Sequence, residues 1–291
     1  MVIMTDSHSG ISKEEAEQKN IKVLAMPFCM DGITYYEDVD IARDAVYEKL
    51  GVGADVSTSQ PSPQELTGMW DKLLKEYEQI LYIPISSGLS GAYMTAKALA
   101  SDEPYRGKVF VVDSGRVSTT LHRMILDGLE LMEAGYDAEV IQRTLNANRG
   151  NMIMYVSLST LEYLKKGGRV KPSVATVASI LNIKPIMKFD VGTLDVYKKC
   201  RGFQKAKIGM IEAMKEEIST NFNEACEAGE LYLLAASSSN KEVTEQWVQQ
   251  IQEAFPDLEV LCDDLALAIT CHIGPDSLGI GCSCKPKVMG E

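Results

Sequence analysis

Hydrophobic positions along the chain change period several times, and each change predicts an element. Residues 2–5 (VIMT) and 21–26 (IKVLAM) are short apolar runs that read as strands, with a helix at about 12–19 between them. Asp6 or Ser7 is placed to cap the loop before that helix. Asp31-Gly32 is a turn signal, and ITYY after it predicts a hairpin arm. A helix over 41–50 is ended by Gly51. After Pro63, Leu66, Met69, Trp70, Leu73, Leu74 and Tyr77 recur at helical spacing and define one face. The run ILYIPI at 80–85 is apolar throughout, as expected of a parallel strand covered on both faces. A helix at 90–100, a strand at 108–112 and a helix carrying Leu121, Met124, Ile125, Leu129 and Met132 follow. Strand ends at 5, 57, 85 and 112 thus alternate with helices, the pattern of a parallel α/β domain.

Past a helix at 137–148, which Gly150 ends, the rhythm is different. Strands are expected at 152–158, 183–189, 193–200, 231–238 and 258–264, with the second and third forming an antiparallel hairpin about Asp190-Val191-Gly192. Helices are expected at 160–166, near 173–181, at 203–219 and at 240–254, and the last part holds a short helix and a Gly-rich turn. This is α+β in character. The boundary is placed near Gly150, giving domains 1–150 and 151–291, with no low-complexity linker or repeat between them.

Two loops stand out against this background. Ser57-Thr58-Ser59-Gln60-Pro61-Ser62-Pro63 and Ser86-Ser87-Gly88-Leu89-Ser90-Gly91 each precede a helix and carry several hydroxyls, where a helix N-cap needs only one. If both follow strands of one parallel sheet, both open on the same edge, where open α/β sheets bind ligands. Helix N-termini there offer unpaired N–H groups that suit an anion. A third strand end, Asp113 to Thr120, is again rich in hydroxyls.

Composition narrows the function. The 291 residues are 45% apolar and 24% charged, as in a soluble globular protein. The net charge of −12 argues against binding to nucleic acid or to anionic membrane. No apolar run is long enough for a stable membrane insertion, and MVIMTDSHSG lacks the marks of a signal peptide, so a cytoplasmic protein is expected. Of seven cysteines, Cys29, Cys200, Cys226 and Cys262 are expected as reduced thiols. Cys271, His272, Cys282 and Cys284 cluster near the C-terminus, but Cys282-Ser283-Cys284 is not the usual zinc spacing, and no metal or cofactor is expected. Arg169 follows Gly167-Gly168, and its forked donors suit a carboxylate or phosphate. His272 lies among apolar residues and, taken by itself, reads as a core histidine rather than a ligand-binding one. A serine hydrolase lacks its Gly-x-Ser-x-Gly elbow, with no Lys or His near either loop in sequence, and P-loop and GxGxxG motifs are absent.

Eight segments in order, over nearly the whole chain, carry a resemblance. They are TDS (Thr5–Ser7), TSQPS (58–62), ISSGLSG (85–91), VVDS (111–114), LEYLKKGGRV (161–170), ILNIKPI (180–186), RGFQKA (201–206) and HIGPDSLGIG (272–281). Together they resemble the DegV family, which includes the fatty acid-binding subunits of bacterial fatty acid kinase. The resemblance implies an N-terminal three-layer α/β/α domain on a parallel sheet and a C-terminal two-layer α+β domain on a mixed sheet. It implies a long-chain fatty acid held between them and no catalysis by this chain alone, a separate ATP-dependent kinase subunit phosphorylating the bound acid. Its head-group residues map to Thr58 and Ser90, with Ser59, Ser87 and Gly91 in the same loops, and to Arg169 and His272. Arg201 falls in a segment assigned to partner contact. Ala92, where a Thr often follows SSGLSG, and Asp276, where a Gly is common, depart from the pattern. The alternatives are a serine-dependent acyl hydrolase or transferase using Ser87 or Ser90, or a binder of another amphiphilic anion.

Overall fold

The computed structural model describes residues 1–37, 39–168 and 183–289. The helix expected near 173–181 and Arg169 lie outside the described residues.

The first half runs β1 (Val2–Asp6), α1 (Lys13–Gln18), β2 (Lys22–Leu24), β3 (Pro27–Met30), β4 (Ile33–Tyr36), α2 (Arg43–Gly51), β5 (Val56–Thr58), α3 (Pro63–Leu73), β6 (Ile80–Ile83), α4 (Ala92–Ala100), β7 (Val109–Val111), α5 (Thr119–Glu133) and α6 (Ala138–Ala147). Strands β2-β1-β6-β7 form a parallel sheet in that order. Successive side chains alternate across it. Val2, Met4, Ile80, Tyr82, Val109 and Val111 pack with Leu66, Trp70 and Leu73 of α3. Ile3, Leu81 and Ile83 pack the other way, with Leu121, Met124 and Ile125 of α5 and Ile141 and Leu145 of α6. Burial on both faces is why these strands read as unbroken apolar runs, and it makes the three layers. Helix α3 starts where the sequence places it, with Pro63 in its first turn and a reciprocal capping box between Ser62 and Glu65.

One expectation is corrected. The strand ending near 57 is not part of the parallel sheet. It is β5, which pairs antiparallel with β3 (Phe28 with Thr58, Met30 with Val56) in a separate sheet ordered β4-β3-β5. Val-Ser-Thr is half exposed and carries one apolar residue, too few to be covered on both faces. The two hydroxyl loops therefore do not share an edge through one βαβ unit.

The second half runs β8 (Met152–Ser157), α7 (Glu162–Gly167), β9 (Ile183–Asp190), β10 (Thr193–Arg201), α8 (Phe203–Thr220), α9 (Asn223–Glu227), β11 (Leu231–Ser237), α10 (Lys241–Ala254), β12 (Val260–Asp264), α11 (Leu267–Ile273) and β13 (Leu278–Cys284). Its six strands form one mixed sheet, β10-β9-β8-β13-β11-β12, and β9 and β10 make the expected antiparallel hairpin. Short α9 buries no residue and left no stripe to read. The Gly-rich turn expected after His272 is also corrected: LGIGCSC is strand β13, in the middle of the sheet between β8 and β11. Ile280 and Cys282 alternate with its glycines into the core beneath α8 and α10, whose Met210, Met214, Trp247 and Ile251 cover one face. The opposite face, with Met154, Met187, Phe189 and Ala236, turns toward Leu89 and Val117 of the first half. One face under helices and one toward the first half is a two-layer arrangement.

Helix α5 joins the halves. Thr119 Oγ1 donates to the carbonyl of Ala235 at 2.7 Å, and His122 Nδ1 lies 3.0 Å from Asp263. Just before it, the buried Arg116 donates to Ser283 Oγ (2.7 Å) and to the carbonyl of Asn148 (3.1 Å). Burial draws the Arg116 pKa down to about 10, so it remains a cation at neutral pH.

Candidate functional site

A cavity of about 510 Å³ lies between the C-terminal ends of β1 and β6 and the uncovered face of the mixed sheet. That size suits a small-molecule site. Much of its wall is apolar, with Ile85, Leu89 and Val117 from the first half and Met154, Val156, Phe189, Ala236 and Ile269 from the second. Set in this wall are Thr58, Ser59, Gln60, Ser87, Ser90, Gly91 and His272, and also His8 and Ser118.

The hydroxyls of the two loops do different work. Ser62 is a plain N-cap: its Oγ accepts from Glu65 N, while Glu65 accepts from Ser62 N at 2.7 Å. Ser86 is buried and shapes a turn, its Oγ accepting from Gly88 N at 3.1 Å. Ser90 Oγ accepts from Ala92 N at 3.2 Å, and α4 has no side-chain cap at Gly91. Thr58 and Ser59 take no part in capping α3. Gln60 brings the loops together. Its amide donates to Thr95 Oγ1 on α4 at 2.9 Å, and it lies so close over Gly91 that a Cβ there would stand 2.4 Å from Gln60 Oε1. At Gly88 the chain presses against the β9–β10 turn, where a Cβ would come within 2.5 Å of the Gly192 carbonyl oxygen. These contacts, rather than a shared sheet edge, bring the loops to the cavity.

Thr58 ends β5, and His272 lies in the last turn of α11. Thr58 Oγ1 and His272 Nε2 are 2.6 Å apart, joining residues 214 positions apart in sequence. Gly167 backs the imidazole: a Cβ there would stand 2.2 Å from His272 Nδ1. Gly168, at φ +66°, ends α7 in the left-handed region. Gly167 thus lets α7 approach His272, while Arg169 itself is not described. Arg201 is not in the cavity. It is exposed at the end of β10, in a shallow basic depression with Lys198, Lys199 and Lys205.

His8, Gln60 and Ser118 were not singled out from sequence. His8 follows β1 in a short 3-10 turn, Ser7–Ser9. Its Nδ1 is 3.0 Å from Asp6 Oδ1, and the same buried carboxylate accepts from Ile85 N at 2.9 Å. Ser118 belongs to the third hydroxyl-rich strand end. The cysteines are all free thiols; burial pushes Cys271 up to about 12 and Cys282 well up, which suits inert core thiols. Among the described residues no group of three or more His, Cys, Asp or Glu is placed to hold a metal, and no helix is long and apolar enough to cross a membrane.

Comparison with known proteins adds to the geometry. The family model described as "Uncharacterised protein, DegV family" matches residues 1–285. A DegV domain-containing protein of Staphylococcus aureus (strain N315) is 33% identical over 218 residues, 75% of this chain and 76% of that one. One from Caldanaerobacter subterraneus subsp. tengcongensis is 28% identical over 96% of this chain and 97% of its own. Among solved structures, a fatty acid-binding DegV family protein from Thermus thermophilus superposes with a TM-score of 0.85 at 26% identity, covering 97% of this chain and 99% of that one. DegV of Bacillus subtilis, a fatty acid-binding protein, gives 0.83 at 25% identity, covering 98% and 99%. A stearic acid-binding protein from Eubacterium ventriosum, at 21% identity and a TM-score of 0.89, has the same fold.

Proposed function

The chain belongs to the DegV family, and on that premise we propose that it holds one long-chain fatty acid between domains 1–150 and 151–291 and presents the carboxylate to a separate kinase subunit. The observation that carries the reading is the cavity itself: about 510 Å³ inside a largely apolar wall, with the Thr58–His272 pair and two hydroxyl loops set into it. Burying about 14 methylenes at ~0.8 kcal/mol each gives roughly 11 kcal/mol of gross transfer free energy. Ordering the chain removes part of it. A carboxylate buried without partners would cancel much of the rest. Thr58 and Ser90, with His272 and Arg169, offset that loss through charge-assisted hydrogen bonds, and Ser59, Ser87 and Gly91 shape the same end. Fatty acid binding by the Thermus and Bacillus relatives supports the ligand class.

The chain does no chemistry alone in this reading; phosphoryl transfer belongs to the ATP-dependent partner. The basic depression around Arg201 is where we place that partner's contact, in a protein otherwise strongly acidic. A cytoplasmic setting goes with this role. A serine hydrolase has less support: among the described residues, neither Ser87 nor Ser90 is hydrogen-bonded to a His, a Lys or a carboxylate.

Denaturing extraction of the purified protein, followed by mass spectrometry, is the test. One fatty acid per chain is expected. An empty extract from protein that also takes up no fatty acid on incubation sinks the reading.

A further inference from the structure

One pair of polar groups in the cavity wall is used neither by the fold nor by the head-group site. Ser118 occupies the N-cap position of α5, yet its side chain makes no capping bond. Thr120 serves the turn instead, its Oγ1 accepting from Val117 N and donating to Val117 O. The Ser118 hydroxyl is buried, the residue being 2% exposed, and has no hydrogen-bond partner among the described residues. Its backbone sits at φ +55°, ψ −142°, a region that side-chain-bearing residues rarely enter. The backbone is tied there by Ser118 N donating to the His8 carbonyl at 2.9 Å. The neighbouring His8 is 7% exposed and also lines the cavity. A carboxylate only accepts, so Asp6 fixes the hydrogen on His8 Nδ1, and in the neutral ring Nε2 is left as an acceptor. Among the described residues Nε2 makes no hydrogen bond. His8 and Ser118, joined through that backbone bond, thus bring one acceptor and one hydroxyl to a cavity wall shared with Ile85, Leu89 and Val117.

A hydroxyl group is the ligand function that satisfies both. It donates to His8 Nε2 and accepts from Ser118 Oγ. A ketone or ester carbonyl only accepts, and would leave Nε2 unmet; a second carboxylate would set its lone pairs against that nitrogen. A saturated chain leaves both groups buried against methylene. From this complementarity we infer that His8 and Ser118 form a hydroxyl-binding subsite, and that the preferred ligand is a fatty acid whose chain bears a hydroxyl. The inference rests on the fatty acid reading and narrows it to a ligand class.

The test is competition against labelled stearic acid on delipidated protein. The competitors are unlabelled stearic acid and positional isomers of hydroxystearic acid, with the hydroxyl beside the carboxylate, at mid-chain and near the methyl end. A purely apolar wall disfavours every hydroxylated isomer. The subsite predicts that one isomer binds about tenfold more tightly than stearic acid. That preference, read as a ratio of the two affinities, is lost in Ser118→Gly, which keeps a residue suited to positive φ, and in His8→Phe. If every isomer binds no better than stearic acid, the pair is met by ordered water only and the subsite is overturned. Preference that survives both substitutions overturns it as well. Failure of stearic acid and all isomers to bind would remove the fatty acid reading itself, and the subsite with it, so the two failures are distinguishable.

Discussion

Thr58 and Ser62 lie four positions apart with similar hydroxyls, yet one meets an imidazole from the far end of the chain and the other closes a helix. The difference predicts opposite phenotypes. Ser62→Ala removes a capping box and is expected to cost about 1 kcal/mol, lowering Tm by a few degrees while the protein keeps its fatty acid. Thr58→Val keeps the β-branched shape, so Tm is expected to move little, but fatty acid affinity should fall about tenfold or more with the loss of a charge-assisted bond. Ser90→Ala is expected to weaken retention in the same direction. Thermal melts paired with quantitative extraction separate the cases, and wild-type retention in both Thr58→Val and Ser90→Ala would sink the head-group assignment. Gly167→Ala probes the same site from behind: its Cβ would need the space of His272 Nδ1, so the ring must move and retention should fall although no head-group side chain was altered. In the sequence Thr58 stands out as a loop hydroxyl and His272 as part of a C-terminal cluster, but only the family resemblance gives them one role; nothing in local spacing pairs residues this far apart. Ser118 was visible as a hydroxyl before a helix, but residue type does not distinguish a cap from an uncommitted group. Its positive φ does, and that is a property of the folded backbone alone.

Elements with a strong period were legible, and the two that were misread failed for opposite reasons. β6 and α3 announce themselves because β6 is covered on both faces and α3 on one continuous stripe. β5 has three residues and a half-exposed surface, so its sequence fixes neither a sheet nor a direction. β13 is the opposite case. It is buried and central, but glycines at 279 and 281 mimic a turn. Their real role is close approach. A Cβ on Gly281 would lie 2.6 Å from the Ile153 carbonyl oxygen on β8, whose backbone is fixed by its own ladder. Gly281→Ala is therefore expected to destabilise the protein by about 1–3 kcal/mol. Equilibrium denaturation measures it, and an unchanged midpoint would mean that β13 is not pinned against β8 as described.

The cavity lies between two sheets, each with its own core, and α5 makes polar contacts that join the halves bearing them. His122 is the most exacting of them. It is buried between Glu15 on α1, 3.2 Å from Nε2, and Asp263 on β12, 3.0 Å from Nδ1. Burial alone would lower its pKa, but the hydrogen bonds and charges of Asp263 and Glu15 outweigh burial and raise it above the ordinary histidine value. A raised folded-state pKa means that the folded protein binds the proton more tightly than the unfolded chain does. The stabilisation is then complete below the unfolded value of about 6.5 and is lost as pH climbs through the raised folded value. Wild-type Tm should accordingly fall as pH is taken from 6 upward through that window. His122→Gln should start lower and show a shallower fall, because it has no proton to lose there. On the proposed function, bound fatty acid should leak faster from wild type at the alkaline end, since the same contact joins the two halves that border the cavity. Parallel Tm curves for the two proteins would show that the imidazolium does not clamp the halves, leaving their spacing to apolar packing and to Arg116, whose charge persists to about pH 10.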